Sequence, residues 1–248
     1  MGAYMERCDF VNDNIKLIQN TEGLTFGTDA LLLAGYVSKN FEYGCEFGSG
    51  SGIISMLLLT RNKLKHATAL EVQEEYALLT KRNAELNSLS DRLSPVCTDI
   101  REYRPEREFD IIYTNPPYMK TNGGKSNDSD KKNIARHEVF GGIDDFCKSA
   151  RRMLRYGGTF AVVYRPDRLI DLLCSMRKNS IEPKKMTFVH ADVYSEPSMV
   201  LVEGRAGGKS ALILTKPLII YSDAEHKKYS SDMNYIMENG SFPIEYKR

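Results

Sequence analysis

The sequence predicts an α/β protein built around a mostly parallel sheet, and three observations carry that prediction. Short β-rich apolar runs alternate with stretches of helical periodicity along most of the chain. One run, Tyr43-Gly44-Cys45-Glu46-Phe47, opens into Gly48-Ser49-Gly50-Ser51-Gly52 and passes at once into the apolar Ile53–Leu59, the strand, glycine turn and helix of an α/β unit. Gly48, Glu71, Asp99 and Asn115 each follow or close a run, which gathers them beyond the carboxyl ends of the central strands, where open parallel sheets bind ligands.

The elements follow in order. Thr28-Asp29 ahead of Ala30–Tyr36 predicts a capped helix before the first core strand. After the glycine turn, Ala69-Leu70-Glu71 closes the next apolar run, and Glu74 to Leu89 reads as a helix on Tyr76, Leu79 and Leu86. Another strand-like stretch precedes Asp99, and Phe109–Thr114 forms the next. Phe146, Ala150, Met153 and Leu154 fall at helical spacing, predicting a helix from Ile143 to Tyr156 that Gly157-Gly158 ends. Thr159–Tyr164 is β-rich, and Pro166 can start a helix through Met176. Ser198–Glu203 and Ser210–Thr215 face each other across a glycine-rich turn, so a hairpin is expected to close the sheet with an antiparallel strand. Gly208-Lys209-Ser210 only imitates a phosphate loop, because Glu203 stands where its first glycine belongs and a strand follows instead of a helix.

A chain of 248 residues holds one sizeable α/β domain. The expected division is a lead-in with a helix over 1–40, a core over 41–216 and an extension over 217–248. In that extension Tyr221, Tyr229, Tyr235 and Tyr246 either stack on bases or simply pack. Cys8, Cys45, Cys97, Cys147 and Cys174 are unclustered and read as reduced, buried thiols of a cytoplasmic protein. His66, His137, His190 and His226 lie apart from one another and from the cysteines, so no metal site is expected. No run has the length of a membrane span, and no signal-peptide pattern opens the sequence. A monomer is favoured.

Net charge is +1. Ten basic residues stand against three acidic ones between Cys147 and Lys185. They either contact phosphates or, like Arg151, Arg152 and Arg155 near a helix end, favour the dipole and stay solvated. The polar, lysine-rich stretch from Lys120 to Asn133 reads as a loop bordering the substrate opening.

The most telling segment is Asn115-Pro116-Pro117-Tyr118, directly after Phe109–Thr114. An adenine N6 lone pair is delocalised into the ring, so the nitrogen attacks only when drawn towards tetrahedral geometry. The Asn115 side-chain oxygen and the Pro116 carbonyl can each accept one N–H, aiming the lone pair at an electrophilic methyl. Proline stiffens the turn, and Tyr118 offers a ring for stacking. No strong base is needed, because the nitrogen becomes acidic only after the methyl arrives. The implied chemistry is methylation of an exocyclic or amide nitrogen, while the plain alternative is an ordinary turn after a strand.

The glycine spacing bears on this choice. A dinucleotide fingerprint starting at Gly48 would need glycine where Ile53 stands. The pattern from Glu46 to Gly52 instead resembles the donor loop of class I S-adenosylmethionine-dependent methyltransferases. That resemblance implies a Rossmann-like, mostly parallel seven-stranded sheet with a C-terminal antiparallel strand. It makes Glu71 the acid on the donor ribose and Asp99 the acid facing its adenine, with Glu46, Gly48, Ser49, Gly50 and Asn115 also lining the donor.

Phe26-Gly27-Thr28-Asp29-Ala30, Arg136-His137-Glu138, Arg165-Pro166, Met199–Glu203 and Gly207-Gly208-Lys209 extend the likeness to nearly the whole chain, which is similar to the bacterial tRNA1(Val) adenine-N6 methyltransferases. The match implies S-adenosyl-L-methionine as cofactor and tRNA as partner, with the adenine 3′ to the anticodon as target. It places Thr28 and Asp29 near the donor's methionine end and Asn115, Pro116, Pro117 and Tyr118 around the base. Lys125, Arg136 and His137 are further candidates for contact with the substrate. Glu46 departs from the more usual aspartate. Two other readings compete: N5-methylation of a protein glutamine, and an RNA-binding module that kept the fold and lost the reaction.

Overall fold

The computed structural model describes residues 6–12, 15–20, 27–116 and 141–246. A hairpin of β1 (Glu6–Asn12) and β2 (Ile15–Asn20) precedes α1 (Thr28–Tyr36). The core then alternates β3 (Phe41–Phe47), α2 (Ile53–Thr60), β4 (Leu64–Glu71), α3 (Glu74–Leu86), β5 (Leu93–Cys97) and β6 (Phe109–Thr114). Next come α4 (Ile143–Met153), β7 (Leu154–Tyr164), a 3-10 turn over Pro166–Arg168 and α5 (Leu169–Lys178). The long strands β8 (Ile181–His190) and β9 (Pro197–Ala206) complete the sheet. Two short strands follow, β10 (Ile213–Leu214) and β11 (Leu218–Ile219), and the chain ends with α6 (Ser231–Asn239) and a 3-10 turn.

The long strands lie in the order β5-β4-β3-β6-β7-β9-β8. All pair in parallel except β9, which runs antiparallel to both β7 and β8. From β3 the chain builds outward to β4 and β5, then returns to place β6 on the other side. The strand order therefore reverses between β3 and β6, the crevice where open α/β sheets take ligands.

Strand alternation explains the two cores. Ile111 and Tyr113 of β6, with Ala161 and Val163 of β7, join the cluster under α1 and α2. Their neighbours Ile112, Phe160 and Val162 point to the opposite face and meet Phe146 and Met153 of α4 and Leu172 and Met176 of α5. Helices on both faces make the sheet the middle of three layers.

Several expectations are corrected. Gly27, not Thr28 or Asp29, is the N-cap of α1, and no side chain caps that helix. The fourth helix ends at Met153 because Leu154 already pairs with Phe109, and Arg155 follows into a bond with Asp110. Gly157, with φ of +73°, lies within β7 and caps nothing. The hairpin across Gly207-Gly208 does not form. β9 is flanked on both sides by β7 and β8, so Ile213–Leu214 settles parallel to β8 beside Lys185 and Met186. Cys45 and Cys147 are buried, but Cys8, Cys97 and Cys174 are exposed.

The extension folds back on the core. Ser230 caps α6 by accepting from the Met233 amide, and Gly240 ends it with φ of +61°. Met233, Ile236, Phe242 and Tyr246 enter the cluster around α1. Tyr246 therefore packs, its hydroxyl bonded to Asp232 at 2.7 Å, while Tyr221 and Tyr229 stack on each other with ring centroids 5.3 Å apart.

Candidate active site

Two loops leave adjacent strand ends at the reversal point. Phe47 pairs with Thr114 in the register of β3 and β6, and the Thr114 hydroxyl donates to the Phe47 carbonyl at 2.9 Å. Gly48 and Asn115 are the next residues on strands about 4.8 Å apart. The glycine turn and the start of the Asn-Pro-Pro-Tyr segment thus share one edge and one crevice.

The turn is held from behind. The Gly48 and Ser49 amides donate to the Leu70 carbonyl at 2.9 and 3.1 Å. One Glu71 oxygen accepts from the Gly50 amide and the other from the Gln73 amide, both at 3.0 Å. Gly48, Gly50 and Gly52 all have positive φ. A Cβ on Gly52 would lie 2.7 Å from Thr80, so that glycine permits close packing. A Cβ on Gly48 or Gly50 would meet nothing within 4 Å, so these two face the open space above the sheet edge. Ser49 turns its hydroxyl inward to Thr80 at 3.2 Å, and Thr80 donates to the Gly50 carbonyl at 2.9 Å.

Two of the acids are engaged within the chain. Glu46 is buried and accepts from both the amide and the hydroxyl of Ser55 in the first turn of α2. Ser55 in turn meets the Tyr113 hydroxyl at 2.7 Å. Burial pushes the Glu46 carboxyl up to about 8, against the lowering effect of the Ser55 bonds. Asp99, just beyond β5, is gripped by the Arg101 guanidinium and backbone amide. Burial alone would raise its pKa, but these bonds outweigh it and hold the carboxyl below its ordinary range.

Asn115 carries the most informative contact. Its Nδ2 donates to Asp29 Oδ2 at 2.7 Å, while its Oδ1 is buried with no hydrogen-bond partner. Thr28 is exposed in the first turn of α1, one residue from that contact. Pro117, Tyr118, Lys125, Arg136 and His137, with the stretch from Lys120 to Asn133, lie outside the described residues.

Sequence reasoning missed the supporting residues. Thr80 and Asn83 on α3 brace the glycine turn, with Asn83 Nδ2 donating to the Ser51 carbonyl at 3.0 Å, and Ser55 and Tyr113 brace Glu46. The basic stretch is committed largely to the protein itself. Arg152 bonds the Ile100 and Tyr103 carbonyls, Arg155 bonds Asp110, and Lys178 bonds Asp144. Arg165, Arg168 and Arg177 pair with Asp167, Asp171 and Glu182, and Lys185 with Glu203.

The arrangement fits a nucleoside-bearing sulfonium donor. The N-terminus of α2, two glycines opening on free space and Glu71 at the end of β4 share the crevice with Asn115 Oδ1, a buried acceptor with no partner. Comparison with known proteins agrees. The tRNA1(Val) (adenine(37)-N6)-methyltransferase of Phocaeicola vulgatus is 29% identical over 183 residues, 71% of this chain and 74% of that one. The protein of the same name from Parabacteroides distasonis is 25% identical over 218 residues, 86% of this chain and 89% of its own. A solved structure from Agrobacterium tumefaciens, described as a predicted O-methyltransferase, superposes with a TM-score of 0.70 at 20% identity over 87% of this chain and 98% of that one. The structure of M. jannaschii tRNA m1G37 methyltransferase superposes with a TM-score of 0.56 at 16% identity, over 84% of this chain and 56% of that one. The methyltransferase small domain model matches residues 21–173, more than half the chain, so the protein belongs to that family and is an S-adenosyl-L-methionine-dependent methyltransferase.

Proposed function

We propose that the protein methylates the N6 amino group of an adenine in tRNA, the one 3′ to the anticodon of a valine tRNA. One observation carries the reading: Asn115 Oδ1 is a buried acceptor with nothing to accept from. Leaving such a group unpaired costs about 1–3 kcal/mol, which a substrate N–H would recover on binding. Asn115 Oδ1 and the Pro116 carbonyl together match the two N–H bonds of a planar amino group. With both engaged, the nitrogen lone pair is freed from the ring and directed across the crevice towards Gly48 and Gly50.

S-adenosyl-L-methionine, when bound, supplies an electrophilic methyl whose bond to sulfur breaks as the N–C bond forms, the electron pair returning to sulfur. The surplus proton then leaves the nitrogen for its two acceptors or for water. Tyr118 stacks on the base in this reading, and Lys125, Arg136 and His137 contact the surrounding RNA. An adenine in an anticodon loop is extruded at lower cost than one in a duplex. The similarity to tRNA1(Val) (adenine(37)-N6)-methyltransferases supports the choice of nucleotide. A tRNA substrate places the reaction in the cytoplasm in this reading; among the described residues no helix is long and apolar enough to cross a membrane.

The test is methyl transfer to a valine tRNA transcript and to the same transcript with guanine at the target position. Digestion should yield N6-methyladenosine from the first and no methyl incorporation in the second. Equal incorporation removes the assignment of the nucleotide. Methylglutamine formed on a protein acceptor, with no transfer to tRNA, would replace it with the amide reaction.

A further inference from the structure

Asp29 and Asn115 lie 86 residues apart in sequence yet share a 2.7 Å hydrogen bond. An ionised carboxylate only accepts, so the Asn115 NH2 must face it and Oδ1 must face away. The direction of the Asn115 amide is thereby fixed by chemistry. The carboxylate is fixed as well, because its other oxygen accepts from the Ala30 amide at 2.9 Å in the first turn of α1. A Cβ on Gly27 would lie 2.5 Å from that oxygen, so the N-cap glycine leaves room for the acid to take this position. The remaining atom of the amide, Oδ1, is the buried orphan.

We infer that Asp29 is a positioning residue that acts through Asn115, a role distinct from contact with the methyl donor. The inference rests on the reading of Asn115 as acceptor of the substrate N–H. Two effects follow from the geometry. Asp29 prevents the amide from turning its NH2 towards the substrate, where donor would meet donor. The Asp29 carboxylate beside Nδ2 also pushes amide electron density towards Oδ1, making it a stronger acceptor where positive charge develops on the substrate nitrogen. An asparagine at position 29 could satisfy only one of its two neighbours, since its own NH2 would face either the Ala30 amide or the Asn115 NH2.

The experiment measures single-turnover methyl transfer to tRNA at saturating donor, together with donor dissociation constants, for the wild type, Asp29→Asn, Asp29→Ala, Asn115→Ala and the Asp29→Ala/Asn115→Ala double variant. Loss of a charge-assisted positioning bond predicts a transfer rate lower by about 10- to 100-fold in the Asp29 variants, with donor affinity within about twofold of wild type. In the Asn115→Ala background, removing Asp29 should cost almost nothing further, because the residue through which it acts is gone. Bound donor certifies that each variant is folded. Wild-type rates in both Asp29 variants overturn the inference. So does a defect that extra donor repairs, which would make Asp29 a donor ligand, and so does a full second loss in the double variant. Undiminished transfer by Asn115→Ala would instead bring down the reading of the acceptor on which this one stands.

Discussion

Burial keeps the Glu46 carboxyl protonated at neutral pH, its pKa pushed up to about 8 beside Ser55 and Tyr113. Below the ordinary carboxyl value of 4.5, folded and unfolded chains both carry it neutral, and ionisation contributes nothing to the balance. Between there and about 8 the unfolded chain releases the proton while the folded chain retains it, so stability falls as pH rises. The loss reaches on the order of a few kcal/mol. Glu46→Gln keeps the shape and removes the titration. Its thermal midpoint should therefore stay nearly level from pH 5 to 8 while that of the wild type declines, and parallel curves would show that Glu46 ionises normally. At this scale the sequence was readable where a residue's place follows from the end of an apolar run. Asn115 before Pro116, Glu71 closing its strand and the three glycines stand where they were expected. The partners were hidden because nothing in residue spacing announces that Asp29 will meet Asn115, or Thr80 the carbonyl of Gly50.

The N-terminal hairpin is attached to α3 by two asparagines that imitate a strand edge. Asn83 accepts from the Ile18 amide at 2.8 Å and donates to its carbonyl at 3.1 Å, and Asn87 does the same for Lys16 at 2.9 and 2.7 Å. Asn83 also reaches Ser51 of the glycine turn, so one side chain ties the hairpin to the donor loop. Asn83→Ala should destabilise the protein by about 2–3 kcal/mol through three bonds lost from a buried site, against about 1 kcal/mol for Asn87→Ala at a more exposed one. Urea unfolding gives the totals, and faster amide exchange at Ile18 would locate the damage. Equal losses would mean that the tie to the glycine turn and its burial add no more than the Asn87 bond to the Asn83 carbonyl at 2.7 Å. The hairpin escaped sequence reading because only Ile15 and Leu17 of β2 are apolar and fully buried, while Phe10 of β1 stands exposed. β8 escaped for another reason. Pro183 and the pair Lys184-Lys185 interrupt its apolar pattern, yet the proline falls at a register shift and Lys185 lies over the Tyr36 ring, 4.0 Å from its centroid, while pairing with Glu203. Without β8 as a partner for β9, the hairpin across Gly207-Gly208 was the natural but mistaken inference.

Across the whole molecule, the alternation of strands and helices was enough to place the carboxyl ends of the central strands on one edge, because parallel crossovers leave little freedom once the order of elements is known. The extension was opaque, since its scattered apolar residues acquire meaning only from the face they cover. That face is the far end of α1. Phe242 packs edge-on against Tyr36 with centroids 5.3 Å apart, and a Cβ on Gly35 would come within 3.3 Å of Ile236. Arg61 adds a bond to the Gly240 carbonyl at 3.2 Å. One helix thus has its last turn under the extension and its first turn, with Asp29, bonded to Asn115. If α1 acts as a rigid post, weakening its far end should lower stability without altering the chemistry of the molecules that remain folded. Ile236→Ala removes a fully buried side chain and should cost about 2–5 kcal/mol. Its single-turnover transfer rate at low temperature, where the fold persists, should match the wild type within about twofold because Asp29 and Asn115 are undisturbed. A lowered melting midpoint with an unchanged rate supports the post. A rate that falls while the midpoint holds would mean that the extension reaches the site by a route other than the stability of α1.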